Sequence, residues 1–184
     1  METTHISIDQ ISTKLGFDVT KKGLCMLLQC SYDKLSDPEL IEFVNWIYTQ
    51  IELDGNDWNH SVPSCRGLCT NLSKRGLLIP LQLLRKRGCT WGVEVLCEAI
   101  INGHLDCVRY AMNHGCPTLL YVHSNKYNAY KLTDIASHAG QMEILVYLIQ
   151  EKNEMIDGDT IFHALEGNHS EIEQYLYHIG CSVY

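Results

Sequence analysis

The sequence predicts an all-α fold, a solenoid of helix-turn-helix repeats with a helical cap at its N-terminal end. The first observation is a period, because Gly76 and Gly88 lie 12 residues apart, Gly103 and Gly115 also lie 12 apart, and the second pair follows the first by 27. The second observation is that apolar residues recur at helical spacing between these glycines. Glycine ends helices because it accepts a left-handed backbone, so each glycine pair brackets one short helix.

Four segments align without gaps when they are placed on these glycines. The segments are 72–89, 99–116, 136–153 and 164–181. In the later segments Asn168 takes the first glycine position and Lys152 takes the second. Because a two-helix unit of this size cannot bury its apolar face alone, the segments are expected to stack. We therefore predict about four degenerate repeats within 71–184, in one continuous domain, and a helical capping region over 1–70.

The segment around Gly103 shows the predicted unit most clearly. Asn102-Gly103 ends a first helix, and the small Ala99 lies where paired helices approach most closely. The buried face of that helix is predicted to hold Val93, Leu96, Cys97 and Ile100. The buried face of the second helix is predicted to hold Leu105, Val108, Ala111 and Met112.

The N-terminal region contains a strong helix start. Ser36-Asp37-Pro38-Glu39 has the pattern of a capping box and predicts a helix that runs to about Leu53. A shorter apolar helix is predicted over Leu24–Cys30. The stripe that could cover the first repeat consists of Leu40, Phe43, Val44 and Ile47.

A family resemblance enters with the run Asn-Gly-His-Leu-Asp-Cys-Val-Arg-Tyr at residues 102–110, which is followed by Gly-Cys-Pro at 115–117. This pattern resembles the ankyrin repeat, and more closely the shortened Gly-Cys-Pro-Trp repeats encoded by large DNA viruses and protists. Gly-Cys-Thr-Trp at 88–91 is the nearest match to that motif. The period of 27 or 28 is shorter than the ankyrin period of about 33. The resemblance implies a non-catalytic protein-binding module, of a kind that viruses direct at host proteins.

Two stretches supply candidate partner-binding residues. Between Gly115 and Ala136 the spacing grows by ten residues, and insertions in solenoids map to loops that often bind partners. A loop that only closes over the core is the alternative. Residues 66–88 carry six basic and no acidic side chains. The candidate contacts are Arg85, Arg87, Trp91, Tyr121, Lys126 and Tyr127.

Several function classes are disfavoured by composition. A net charge of −8 opposes binding of nucleic acid, and no apolar run approaches the roughly 20 residues of a membrane helix. Nine cysteines, an odd number without an export signal, predict reduced thiols and an intracellular, cytoplasmic protein. Cys89, Cys116 and Cys181 share one repeat position and are interpreted as structural.

No motif indicates catalysis or a cofactor, because the chain lacks a nucleophile elbow, a phosphate loop and a zinc-protease helix. His60, Cys65 and Cys69 lack a second pair of ligands at matching distance, so no metal site is predicted there. His104 and His169 follow the glycine position, where such side chains in ankyrin-like repeats bond backbone groups of adjacent turns.

Two other functions remain open. The chain could be a structural subunit of a larger assembly such as a virion. Residues 35–41, Leu-Ser-Asp-Pro-Glu-Leu-Ile, also resemble the opening of an F-box, which would imply a ubiquitin-ligase adaptor. A plain capping helix explains the same residues.

Overall fold

The structure of the protein is a computed structural model, and it describes the side chains and backbone of residues 7–15, 32–49, 66–118 and 131–182, and the backbone alone of 50–54. These ranges hold ten α-helices and no strand, which confirms the all-α prediction. The chain divides into two compact units, residues 1–91 and 92–184. The first predicted repeat therefore groups with the N-terminal helices, whereas one continuous domain over 71–184 stays a prediction. The predicted helix at Leu24–Cys30 lies outside the described residues.

The first unit is built around one long helix. Its elements are α1 (Ile8–Leu15), a 3-10 turn (Tyr32–Lys34), α2 (Asp37–Asp54), α3 (Arg66–Lys74) and α4 (Leu78–Lys86). α2 packs against α1 and α4, and α3 packs against α4 and the 3-10 turn. The predicted stripe of α2 is fully buried, and its members are Leu40, Phe43, Val44 and Ile47. The apolar face of α2 thus covers α4, the second helix of the first predicted repeat.

The start of α2 is fixed by side-chain hydrogen bonds. The backbone N–H of Ser36 donates to Glu39 Oε2 at 2.9 Å, which is one of the two bonds of the predicted capping box, and the Ser36 hydroxyl donates to the same oxygen at 2.8 Å. Lys14 of α1 pairs with the other oxygen of the same carboxylate. Directly after α3, the Arg75 guanidinium donates to the carbonyls of Leu35 and Tyr32 at 2.5 and 3.0 Å. These bonds tie α1, α2 and α3 to one turn.

The Glu39 carboxylate makes the first unit sensitive to acid. The hydrogen bond from Lys14, followed by those from Ser36, lowers the pKa of Glu39 from 4.5 to about 2. Because the folded-state pKa is depressed, the stabilisation is fully present above about pH 4.5 and is lost as the pH falls towards 2. We expect Glu39→Gln to be less stable than the wild type at neutral pH, and the difference to shrink below pH 4.5. Urea unfolding of both proteins across this pH range tests this, and a constant difference down to pH 2 would contradict it.

The second unit consists of three helix pairs. They are α5 (Glu94–Ile101) with α6 (Leu105–Asn113), α7 (Leu132–His138) with α8 (Met142–Gln150), and α9 (Gly158–Glu166) with α10 (Ser170–His178). The two helices of each pair contact each other. The first helices also contact one another in the order α5, α7, α9, and α6 contacts α8. The first helices of this unit therefore form one row.

The turn inside each pair has the same backbone geometry. Gly103, Gly140 and Asn168 have positive φ angles of 76°, 74° and 60°, and Gly76 of the first unit has 68°. The residue after each of them donates its N–H to a carbonyl five residues earlier, for example His104 to Ala99 at 2.8 Å. This is the bond of a Schellman helix end, and it explains why left-handed residues recur at this position.

The turn that follows each pair is similar, with one difference from the sequence alignment. Gly115 and Gly180 have positive φ angles of 73° and 87°, as does Gly88 of the first unit, with 81°. In the α7–α8 pair the left-handed residue is Asn153, with φ 54°, and not Lys152. The placement of Lys152 at the glycine position was therefore wrong, because this turn is one residue longer. Asparagine is the non-glycine residue that tolerates this conformation best.

A cysteine after the glycine closes two of the three pairs of the second unit. Cys116 Sγ donates to the Gly92 carbonyl at 3.3 Å, and Cys181 Sγ donates to the Asp157 carbonyl at 3.2 Å. Each thiol thus links the end of a pair to the residues just before its first helix, which supports the structural interpretation of this position. Burial raises the pKa of Cys107, a further thiol on α6, to about 11.

The predicted buried faces of α5 and α6 are only partly correct. On α5, Leu96 and Ile100 are buried, but Val93 and Cys97 are half-buried, and Val95 and Ala99 are buried in addition. On α6, Val108 and Ala111 are buried as predicted, whereas Leu105 and Met112 are half-buried. A helix that is packed by a paired helix and by the next helix of its row buries a wider arc than one amphipathic stripe.

Candidate functional site

An apolar surface lies on α9, the last helix of the row. Phe162 is 53% exposed and Leu165 is 48% exposed. The two residues are three apart, so they lie on one face of the helix. Large apolar side chains on a soluble protein are informative when they cluster, because scattered ones are normal. We call Phe162 and Leu165 the α9 face.

The equivalent positions in the earlier pairs are covered. When the pairs are placed on their left-handed residues, Phe162 and Leu165 correspond to Asp134 and Ser137 of α7, which are both buried. In α5 the same two positions hold Cys97, which is half-buried, and Ile100, which is buried. α5 is followed in the row by α7, and α7 by α9. The α9 face is therefore the kind of surface on which the next helix of the row packs, and no described residue buries it.

The contact between α7 and α9 shows how such a face is covered. The Thr160 hydroxyl of α9 donates to Asp134 Oδ1 at 2.8 Å, and both residues are buried. The other oxygen of Asp134 accepts the N–H of Lys131 at 3.0 Å, which caps α7. Lys131 Nζ also lies 2.5 Å from Asp157 Oδ1, and this hydrogen bond lowers the pKa of Asp157. The contact between α7 and α9 thus combines apolar packing with a network of hydrogen bonds and ion pairs.

Charge around the α9 face is negative. Asp159 and Glu166 of α9 are exposed, as is Glu171 of α10. Further exposed apolar side chains in this part of the chain are Met155, Tyr177 and Ile179. An apolar face within an acidic part of the chain suits a partner that is apolar at its centre and basic at its rim.

The candidate contacts predicted around the basic run make intramolecular contacts. The Arg85 guanidinium lies 4.5 Å from the ring centroid of Trp91, and the Arg87 guanidinium lies 4.1 Å from that of Tyr48. Trp91 is only 5% exposed, so it offers a partner almost no surface. Arg75, in the same run, pairs with Asp37 at 3.1 Å. The structure therefore gives Trp91 a packing role, and we do not include it in the proposed interface.

The remaining candidate contacts are Tyr121, Lys126 and Tyr127, which lie outside the described residues, as do His60 and Cys65. Their predicted roles stay predictions. Cys69, the third residue considered for a metal, is buried with its sulfur 3.6 Å from that of Cys89.

The expected role of the residue after the left-handed position is confirmed for His169. Its Nε2 lies 3.1 Å from the carbonyl oxygen of His138 in the previous pair. Gln141, at the same position one pair earlier, donates to the carbonyl of Ile101 at 3.3 Å. The two side chains therefore make equivalent bonds between successive turns.

Sequence reasoning missed a group of metal-ligating side chains. Among the described residues, His138, His163 and Glu166 are the three whose ligand atoms all lie within 4.8 Å of one another. The signal was present in the alignment, because His138 and Glu166 both lie two residues before a left-handed residue. His163 joins them because it lies one helical turn before Glu166.

The chain matches no protein-family model and no curated protein. Across the described ranges, every helix is too short or too polar to cross a membrane.

Proposed function

We propose that this chain is a non-catalytic protein-binding module, an ankyrin-like solenoid of helix-turn-helix repeats, and that it binds its partner through the α9 face. The observation that carries the proposal is the exposure of Phe162 and Leu165 at positions whose counterparts on α7 are buried by the next helix. The same turn geometry in every pair supports the ankyrin-like architecture. The resemblance at residues 102–117 supports binding over catalysis.

The partner that this surface favours is helical. On α7 the equivalent positions are packed against a helix, α9, and an incoming helix would reproduce that arrangement on α9. Its centre would be apolar to cover Phe162 and Leu165, and one end would carry Lys or Arg to face the exposed carboxylate of Asp159. A helix in a groove of this kind is recognised by side chains spaced three and four residues apart.

The test is a pair of charge substitutions on the α9 face. We expect Phe162→Glu and Leu165→Glu each to weaken partner binding by about 2 kcal/mol or more, as for hot-spot residues, without loss of helical content. Ile79→Glu is the matched control, because Ile79 is also apolar and is 71% exposed, but lies on α4. Binding is measured by isothermal titration calorimetry with helical peptides taken from the proteins that cross-link to the chain in cells.

Three results are informative. Loss of binding in both α9 variants with retention in the α4 control supports the proposal. Equal binding by all three variants contradicts it. Sedimentation of the purified chain at increasing concentration shows whether a second copy covers the α9 face, because self-association lost in Phe162→Glu would make that copy the occupant.

The alternatives differ in the surface they need. An F-box-like adaptor would use the segment at residues 35–41, but Leu35 and Leu40 are buried and Asp37 pairs with Arg75. These contacts favour the capping helix over the adaptor. Six cysteines among the described residues are unbridged, which supports the proposed cytoplasmic setting. A viral origin stays an implication of the family resemblance. A structural role in a larger assembly such as a virion stays the second alternative.

A further inference from the structure

We propose that His138, His163 and Glu166 bind a single Zn²⁺ ion that links α7 to α9, with water as the fourth ligand. Two imidazoles and one carboxylate are the ligand set of many zinc sites that keep one open position. His138 lies at the end of α7, and His163 and Glu166 lie in the last turn of α9. The ion would therefore bridge two consecutive helix pairs.

The distances are close to those of a coordinated ion. His163 Nδ1 lies 3.1 Å from Glu166 Oε2, and all three ligand atoms lie within 4.8 Å of one another. Bonds of about 2.0–2.1 Å in tetrahedral geometry place ligand atoms about 3.3 Å apart. The His163–Glu166 pair already has this spacing. His138, whose ring centroid is 6.2 Å from that of His163, completes the site by a small side-chain adjustment.

The backbone around the ligands is held in place by contacts that do not involve the ion. His169 Nε2 lies 3.1 Å from the carbonyl oxygen of His138, which connects α7 to the turn just after Glu166. A Cβ atom added at Gly167 would lie 2.4 Å from the same carbonyl oxygen, so this turn is pressed against the end of α7. The positions from which the three side chains extend are thus fixed before a metal binds, which lowers the cost of binding.

The electrostatics favour a cation. Two helices, α7 and α9, end at the cluster, and the C-terminal end of a helix carries partial negative charge. Glu166 adds a full negative charge. Its side chain is about half exposed, and His138 is exposed as well, so an ion can reach the site from solvent, while the His163 side chain is largely buried. Among the common divalent ions, imidazole ligands favour Zn²⁺ over Mg²⁺ and Ca²⁺, which prefer oxygen.

The experiment measures Zn²⁺ binding to the reduced full-length chain by competition with a chelating dye. We expect His138→Gln, His163→Gln and Glu166→Gln each to weaken binding at this site by about 100-fold or more, since loss of an outer-shell partner alone costs 10–100-fold. His178→Gln is the matched control. His178 is an exposed histidine in the last turn of α10 that the proposed site does not use, so His178→Gln should bind Zn²⁺ within about threefold of the wild type.

Cobalt and thermal unfolding separate this site from cysteine ligands. Co²⁺ bound at the proposed site should give visible d–d bands without a thiolate charge-transfer band, and the bands should disappear in His163→Gln. Zn²⁺ should raise the Tm of the wild type and of His178→Gln, but not of Glu166→Gln. Because the Glu166 side chain is about half exposed, Glu166→Gln is expected to fold normally. Wild-type binding that equals that of the ligand variants, or a cobalt spectrum dominated by thiolate bands, would overturn the proposal.

Discussion

Gly140→Ala is expected to lower the free energy of unfolding by about 2–5 kcal/mol. Two separate effects add at this position. Gly140 has a φ of 74°, where an L-residue costs about 1–2 kcal/mol. In addition, the new Cβ atom would lie 2.4 Å from His169 Cε1, and overpacking of this kind costs about 1–3 kcal/mol. The His169 ring cannot move away without giving up its contact with the His138 carbonyl.

Gly115→Ala and Gly180→Ala are the matched controls. Both glycines have positive φ, but a Cβ atom added to either would meet no atom within 4 Å. Their free energy of unfolding should fall only by the cost of placing an L-residue in the left-handed conformation, about 1–2 kcal/mol. Urea unfolding of the variants measures the difference. If Gly140→Ala lowers the free energy of unfolding by no more than the two control variants do, the packing of His169 against Gly140 does not contribute to stability.

Asp134→Ala should have the second large effect, a loss of about 3 kcal/mol, as when one partner of a buried charged pair is removed. The carboxylate accepts the Thr160 hydroxyl at 2.8 Å and the N–H of Lys131 at 3.0 Å. Without it, the fully buried hydroxyl of Thr160 loses its acceptor and α7 loses its cap. Asp157→Ala removes a carboxylate that is more than half exposed, and should cost about 1 kcal/mol as the loss of a helix cap.

A double-mutant cycle checks the cause. Thr160→Val removes the hydroxyl and keeps the shape of the side chain. The loss of unfolding free energy in the Asp134→Ala and Thr160→Val double variant should therefore be smaller than the sum of the losses in the two single variants. The measurement is the unfolding free energy of all four proteins in urea. Strict additivity would show that the hydrogen bond between α7 and α9 is not the source of the effect.

The positions of the turns could be predicted from sequence because left-handed backbone has a clear residue preference. Gly76, Gly103 and Gly140 were recognised as helix ends, and Asn168 was placed correctly by alignment. Asn153 was missed, because a gapless alignment cannot detect a turn that is one residue longer. The capping box at Ser36 was also predictable, since its chemistry is local.

Features that depend on neighbouring helices were not predictable in the same way. Whether Phe162 is exposed depends on whether another helix follows α9, and the side chain itself carries no sign of this. Trp91 was expected to bind a partner because tryptophan is common in hot spots, yet it is buried. The cluster of His138, His163 and Glu166 requires that α7 and α9 be adjacent, a relation that only the stacking of pairs provides.

The cysteines that close the first and the last helix pair of the second unit have a practical consequence for following the opening of these pairs. Cys116 and Cys181 are almost inaccessible while their thiols donate to the Gly92 and Asp157 carbonyls. An alkylating reagent modifies the thiolate form of cysteine and has to reach the sulfur. Because both sulfurs are buried, each becomes reactive only when its own helix pair separates. Timed alkylation followed by peptide mapping would therefore report the opening rate of the first and the last pair of the second unit independently, in one sample and without an added label.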